Sequence, residues 1–107
     1  MRYKVKIEKQ VFKYIRKLGK REEHYFKRRF DKLQEDKKGY RLLDVNKNIE
    51  LWELRCSSHR VYYTVENEFI VIENIEYDGN IVVKSGGNKN SQSRDINYLK
   101  KKMRVKR

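Results

Sequence analysis

Proline is absent from this chain of 107 residues, and cysteine occurs once, as Cys56. A single cysteine forms no internal disulfide, and with only two histidines, His24 and His59, it supplies too few ligands for a structural zinc site. Long apolar runs are missing as well. The longest hold four or five residues, as in Phe69-Ile70-Val71-Ile72, whereas a membrane helix needs roughly 20. Met1-Arg2-Tyr3-Lys4-Val5-Lys6 carries charge with no apolar stretch behind it, so no secretory signal is expected. Acidic residues are scarce beside basic ones: 15 Asp and Glu face 28 Lys and Arg, a net charge of +13. The expectation is a reduced, cytoplasmic domain with no metal, no cofactor and no place in a membrane.

What the chain does contain is charge and aromatic rings. Charged residues make up 40% and hydrophobic ones 37%, yet 12% is aromatic, with eight Tyr, four Phe and one Trp. Each large ring buries about 150–250 Å², enough for a few to supply a compact core. The length fits one domain, residues 1–107. So large a positive charge costs self-repulsion in the folded state. A polyanionic partner relieves it, because each phosphate neutralised releases a counterion. An anionic membrane surface requires an amphipathic or lipid anchor, and the sequence shows no dedicated one. Nucleic acid is the expected partner, and an acidic protein is compatible with it.

The chain opens with a strand: Tyr3, Val5 and Ile7 alternate with charged residues. Val11, Phe12, Ile15 and Leu18 then fall on one helical face that ends at Gly19. A second helix is expected from about Lys20 to Lys38, with Tyr25, Phe26, Phe30 and Leu33 on its apolar side and Gly39 at its end. Three strand-forming runs follow: 49–55, 60–65 and 69–75. Asp78-Gly79-Asn80 is a tight-turn signal before Ile81-Val82-Val83. A polar stretch, 85–93, leads to a last helix with Ile96, Leu99 and Met103 on one face. The fold class is therefore α+β: a small antiparallel sheet of four to five strands, an N-terminal αα-hairpin packed on one face, and a short C-terminal helix. The hairpin should pack through Phe12, Ile15, Phe26 and Phe30 against Trp52 and Leu54.

Chemistry concentrates in Glu53-Leu54-Arg55-Cys56-Ser57-Ser58-His59-Arg60. Strand alternation puts Leu51, Glu53 and Arg55 on one face, with Trp52 and Leu54 toward the helices. Neighbouring strands then bring Arg55 and Arg60 together across the turn. Two close cations repel unless an anion lies between them, and planar guanidinium forks accept phosphate oxygens bidentately. The plain alternative is that Arg55 pairs with Glu53 or Glu50 in a surface ladder. Cys56 lacks the orienting third group of a thiol nucleophile. Gly86-Gly87 can form an amide nest for phosphate, without the Gly-Lys-Ser/Thr pattern of a nucleotide loop. The helical cations Lys27, Arg28, Arg29, Lys32, Lys37 and Lys38 read as a solvated face, or as a second surface for RNA.

The order strand, helical hairpin and antiparallel strands resembles the RelE/ParE family of bacterial toxins, particularly its HigB-like, phage-derived branch. So do Leu51-Trp52-Glu53-Leu54-Arg55, a short turn and Arg60-Val61-Tyr62-Tyr63. The resemblance covers nearly the whole chain. It implies the toxin of a type II toxin–antitoxin system: a metal-independent endoribonuclease that cleaves messenger RNA on the ribosome and so inhibits translation. The partners it implies are a cognate antitoxin, messenger RNA and the ribosome. By the same resemblance Arg60 stabilises transition-state charge and Arg55 binds phosphate. His59, with an ordinary pKa of about 6.5, and Lys84 are the candidates for proton transfer. Lys89, Asn88 and Gln92 are expected to contact RNA. Relatives often carry paired lysines and a Thr-rich loop where this chain has Val83-Lys84 and Ser85-Gly86-Gly87-Asn88-Lys89. The competing readings are a non-nuclease inhibitor of DNA gyrase in the manner of the ParE branch, and an RNA-binding module without activity.

Overall fold

A computed structural model describes residues 2–81 and 99–100. The chain runs β1 (Lys4–Ile7), α1 (Lys9–Lys17), α2 (Lys20–Lys32), β2 (Arg41–Asn46), β3 (Ile49–Cys56), β4 (His59–Glu66), β5 (Phe69–Tyr77) and β6 (Asn80–Ile81). The strands form one sheet in the order β1-β5-β4-β3-β2, with β6 added beside β5. From β2 to β6 the chain is an antiparallel meander. The expected α+β class holds, in a mixed sheet: β1 runs parallel to β5, pairing Lys4 with Phe69 through Ile7 with Ile72. The helical hairpin supplies the crossover that such parallel pairing requires.

The hairpin loops are two residues each, and their first residues, Lys47, Ser57, Asn67 and Asp78, all take positive φ between 53° and 60°. Such loops match the twist of the flanking strands and so fix the register. Between the helices, Gly19 takes φ 108°, a region that other residues reach only with strain. Glu22 and Glu23 stand in the first turn of α2, and Arg29 and Lys32 in its last. Both placements complement the helix dipole.

The core lies between the helices and one face of the sheet. Val11, Ile15, Phe26, Phe30 and Leu33 pack against Leu54, Cys56, Val61, Tyr63, Ile70, Ile72 and Ile75. Trp52 is partly buried against the same cluster. Phe12 departs from the expectation: Val11 takes the buried position, and Phe12 lies half-buried with the Arg16 guanidinium 5.7 Å from its ring centroid. On the opposite face, Ile49, Leu51 and Tyr62 form a smaller cluster with Leu99, which is helical as expected for the last helix. Ile96 and Met103 lie outside the described residues.

Two further departures have physical causes. Helix α2 ends at Lys32 rather than near Lys38, because the chain must turn back to reach the sheet. Tyr63 holds that return, its hydroxyl donating to the Lys37 carbonyl at 2.7 Å. The Lys37 ammonium meets Glu50 at 3.0 Å, and the Tyr40 amide donates to the Glu53 carbonyl at 2.7 Å. Gly39 passes so close that a Cβ there would lie 2.5 Å from the Tyr63 hydroxyl and 2.6 Å from the Glu53 carbonyl oxygen. The return leads into β2, an edge strand the sequence pattern hides. Its register shifts between Leu42 and Asp44, which breaks the two-residue alternation a strand otherwise displays.

Candidate nucleic-acid interface

Strand pairing builds the site. Arg55 of β3 and Arg60 of β4 are direct cross-strand partners, as are Glu53 and Tyr62, and Arg41 of β2 lies opposite Glu53. All these side chains belong to the sheet face away from the α1–α2 hairpin. Glu53 is 1% exposed and receives three guanidiniums. Arg41 Nη2 meets its Oε1 at 3.1 Å, while Arg55 Nε and Arg60 Nε approach its Oε2 at 2.8 and 3.9 Å. The hydrogen bond to Glu53 holds the Arg55 guanidinium above its ordinary pKa. The Arg55 guanidinium also stacks on the Tyr40 ring, 4.1 Å from its centroid.

Around Glu53 one carboxylate meets three guanidiniums, whose side chains remain 58%, 42% and 38% exposed for Arg41, Arg55 and Arg60. A second buried acidic residue, Glu76, is the other cross-strand partner of Arg60. Arg55 and Arg60 turn their Nε atoms inward, so the terminal nitrogens of each fork are left to bind an anion. The expected alternative of Arg55 pairing with Glu53 is thus present, and it orients the arginine within a shared cluster. Further along β4 and β5 the same face is polar but closed. The Tyr62 hydroxyl donates to Glu76, and the Thr64 hydroxyl donates to Glu73 at 2.9 Å, all four side chains being buried.

His59 requires a correction. Although it adjoins Arg60 in sequence, it pairs with Cys56 and so points to the helix face. Its ring packs against Phe26 with centroids 5.3 Å apart and against Tyr77 at 4.9 Å, and its Nε2 lies 2.9 Å from the Tyr14 hydroxyl. Burial lowers its pKa, against a smaller upward pull from Glu22. The sheet therefore separates His59 from the arginines. Adjacent strand residues alternate in direction, and this alternation overrides nearness in sequence.

Cys56 is fully buried, and burial pushes its thiol up to about 11, which suits a packing role. Lys84, Lys89, Asn88 and Gln92 lie outside the described residues. Arg41 and Tyr40, both exposed, are members that the sequence reading passed over. Their one sequence signal is an aromatic–arginine pair, Tyr40-Arg41, at the start of the edge strand β2. Among the described residues no three His, Cys, Asp or Glu side chains gather into a group able to hold a metal ion, and no helix is long and apolar enough to cross a membrane.

A mixed sheet with an α-helical hairpin packed on one face defines the class of protein: an α+β domain of the RelE-like fold. The chain is similar to one in the crystal structure of an archaeal RelE–RelB complex from Pyrococcus horikoshii OT3, with 29% identity and a TM-score of 0.65. The likeness covers 74% of this chain and 98% of that one, and it supports the RelE/ParE superfamily. No family model and no curated sequence matches the chain.

Proposed function

We propose that the chain is the toxin of a type II toxin–antitoxin pair, in the HigB-like branch, with residues 1–107 forming a single toxin domain. In this reading it is a metal-independent endoribonuclease that cleaves messenger RNA on the ribosome, in the cytoplasm, and so inhibits translation. One observation carries the proposal: Arg55 and Arg60 stand side by side on the buried Glu53 carboxylate, with Arg41 as a third cation, on the sheet face opposite the α1–α2 hairpin.

Cleavage by the RNA's own 2′-hydroxyl breaks the bond from phosphorus to the 5′-oxygen and forms a 2′,3′-cyclic phosphate. The reaction needs a base for the attacking hydroxyl, cations for the phosphorane and a proton for the leaving oxygen. Arg60 is assigned the phosphorane charge, and Arg55 an adjacent phosphate. Glu53 is a positioning residue, holding the guanidiniums together against their mutual repulsion. Lys84 is assigned proton transfer, and Lys89, Asn88 and Gln92 contacts to RNA. His59, across the sheet, is assigned no step. The partner protein is a cognate antitoxin with an acidic segment, which complements the charge of +13. That the similar archaeal chain was crystallised as a RelE–RelB complex supports such a partner.

Primer extension on messenger RNA from cells induced for the wild type and for Arg60→Ala tests the reading. New 5′ ends with the wild type alone are expected. The same ends with both proteins, or with neither, would overturn it.

A further inference from the structure

We infer that Tyr40, stacked against Arg55, is a platform for an unpaired RNA base beside the phosphate-binding arginines. The inference rests on the proposed RNA substrate and adds to it a base-contacting residue outside the arginine cluster. Among the described residues Tyr40 is one of five large hydrophobic side chains left exposed, at 61%. An exposed ring loses the favourable transfer from water that burial would give it, yet this one is not loosely held. Its backbone amide is fixed to the Glu53 carbonyl at 2.7 Å, and one ring face lies against the Arg55 guanidinium at 4.1 Å. Glu53 in turn fixes Arg55 from the edge at 2.8 Å.

The ring is therefore oriented by the same carboxyl-bearing residue that gathers the arginines. Fixed aromatics beside a cationic track are how single-stranded nucleic acid is bound, phosphates on the cations and bases on the rings. A base in a duplex has both faces occupied by its neighbours, so only an unstacked base can use this one. Arg55 thereby joins the two functions, its terminal nitrogens reaching for phosphate and its plane supporting the ring.

The test uses two 2′-O-methyl RNA decamers, in which the attacking hydroxyl is blocked. One carries bases, and the other is abasic with the same number of phosphates. The wild type should bind the base-bearing strand about tenfold more tightly. Tyr40→Ala should abolish that preference and leave affinity for the abasic strand and the salt slope unchanged. Tyr40→Phe should keep the preference. Arg60→Ala should weaken both strands alike and reduce the salt slope by about one. If Tyr40→Ala keeps the wild-type preference, or weakens both strands equally, Tyr40 is no base platform, while the Arg60→Ala loss would leave the nuclease reading standing. If the wild type binds neither strand, the RNA reading falls and the platform with it.

Discussion

Arg55 and Arg60 face each other across the β3–β4 pair, and both direct Nε at the same oxygen of Glu53, at 2.8 and 3.9 Å. Without that carboxylate the two guanidiniums, and Arg41 beyond them, would repel one another and splay apart. Glu53→Gln keeps the shape and removes the charge. It should lower stability by about 2 kcal/mol, the scale of hydrogen bonds to a charged group, as read by urea denaturation. The deficit should shrink in high salt, which screens the remaining cations. RNA cleavage should fall with it.

His59 should make stability pH-dependent. Burial lowers its folded pKa below the ordinary value of 6.5, so the unfolded chain binds the proton more readily. The contribution of neutral His59 is complete above 6.5, is lost as pH falls from there toward the lowered folded value, and levels off below it. Thermal melts of the wild type between pH 7.5 and 5.5 should show this loss, and His59→Gln should flatten it over the same range. Because the imidazole lies on the helix face, His59→Gln should also retain RNA cleavage.

Gly39→Ala should disturb both the fold and the site. The added methyl would meet the Tyr63 hydroxyl at 2.5 Å and the Glu53 carbonyl oxygen at 2.6 Å, so the backbone around Glu53 must move. A destabilisation of about 1–3 kcal/mol is expected from such overpacking. Tyr63→Phe, which deletes only the bond to the Lys37 carbonyl, should cost about 1 kcal/mol. Denaturant titrations of the two variants check both values.

Phe26 is 1% exposed and touches the rings of Tyr25, Phe30 and His59. Phe26→Ala should therefore destabilise by about 3–5 kcal/mol, a large share of what a small domain possesses. Calorimetric melting measures the loss. The arginine face, on the other side of the sheet, should keep its RNA affinity at temperatures where the variant remains folded.

How much of this was legible depended on whether the information is local. Alternation in 49–55 and 60–65 set the facing of Trp52 and Leu54 against Glu53 and Arg55, and the short turn set Arg55 opposite Arg60. The same alternation, carried one residue further, turns His59 to the helices. Nearness in sequence to Arg60 obscured that. Strand β2 was hidden by its register shift, and the end of α2 by charged residues that suit a helix as well as a return loop. The parallel β1–β5 contact joins residues more than sixty positions apart, and no local pattern encodes it. Arg41 and Tyr40 entered the site only through these non-local pairings.

The central claim is that the arginine cluster holds a phosphodiester while the RNA breaks it from within. The most direct measurement is cleavage of messenger RNA on programmed ribosomes by purified wild type and Arg60→Ala, each in EDTA just sufficient to bind trace transition metals, with the chemistry of the new ends determined. The account predicts 5′-hydroxyl and cyclic-phosphate ends with the wild type, and a rate lowered on the order of 10²–10³-fold in Arg60→Ala with its thermal melt unchanged. Equal rates for the two proteins, or 5′-phosphate ends, would contradict it.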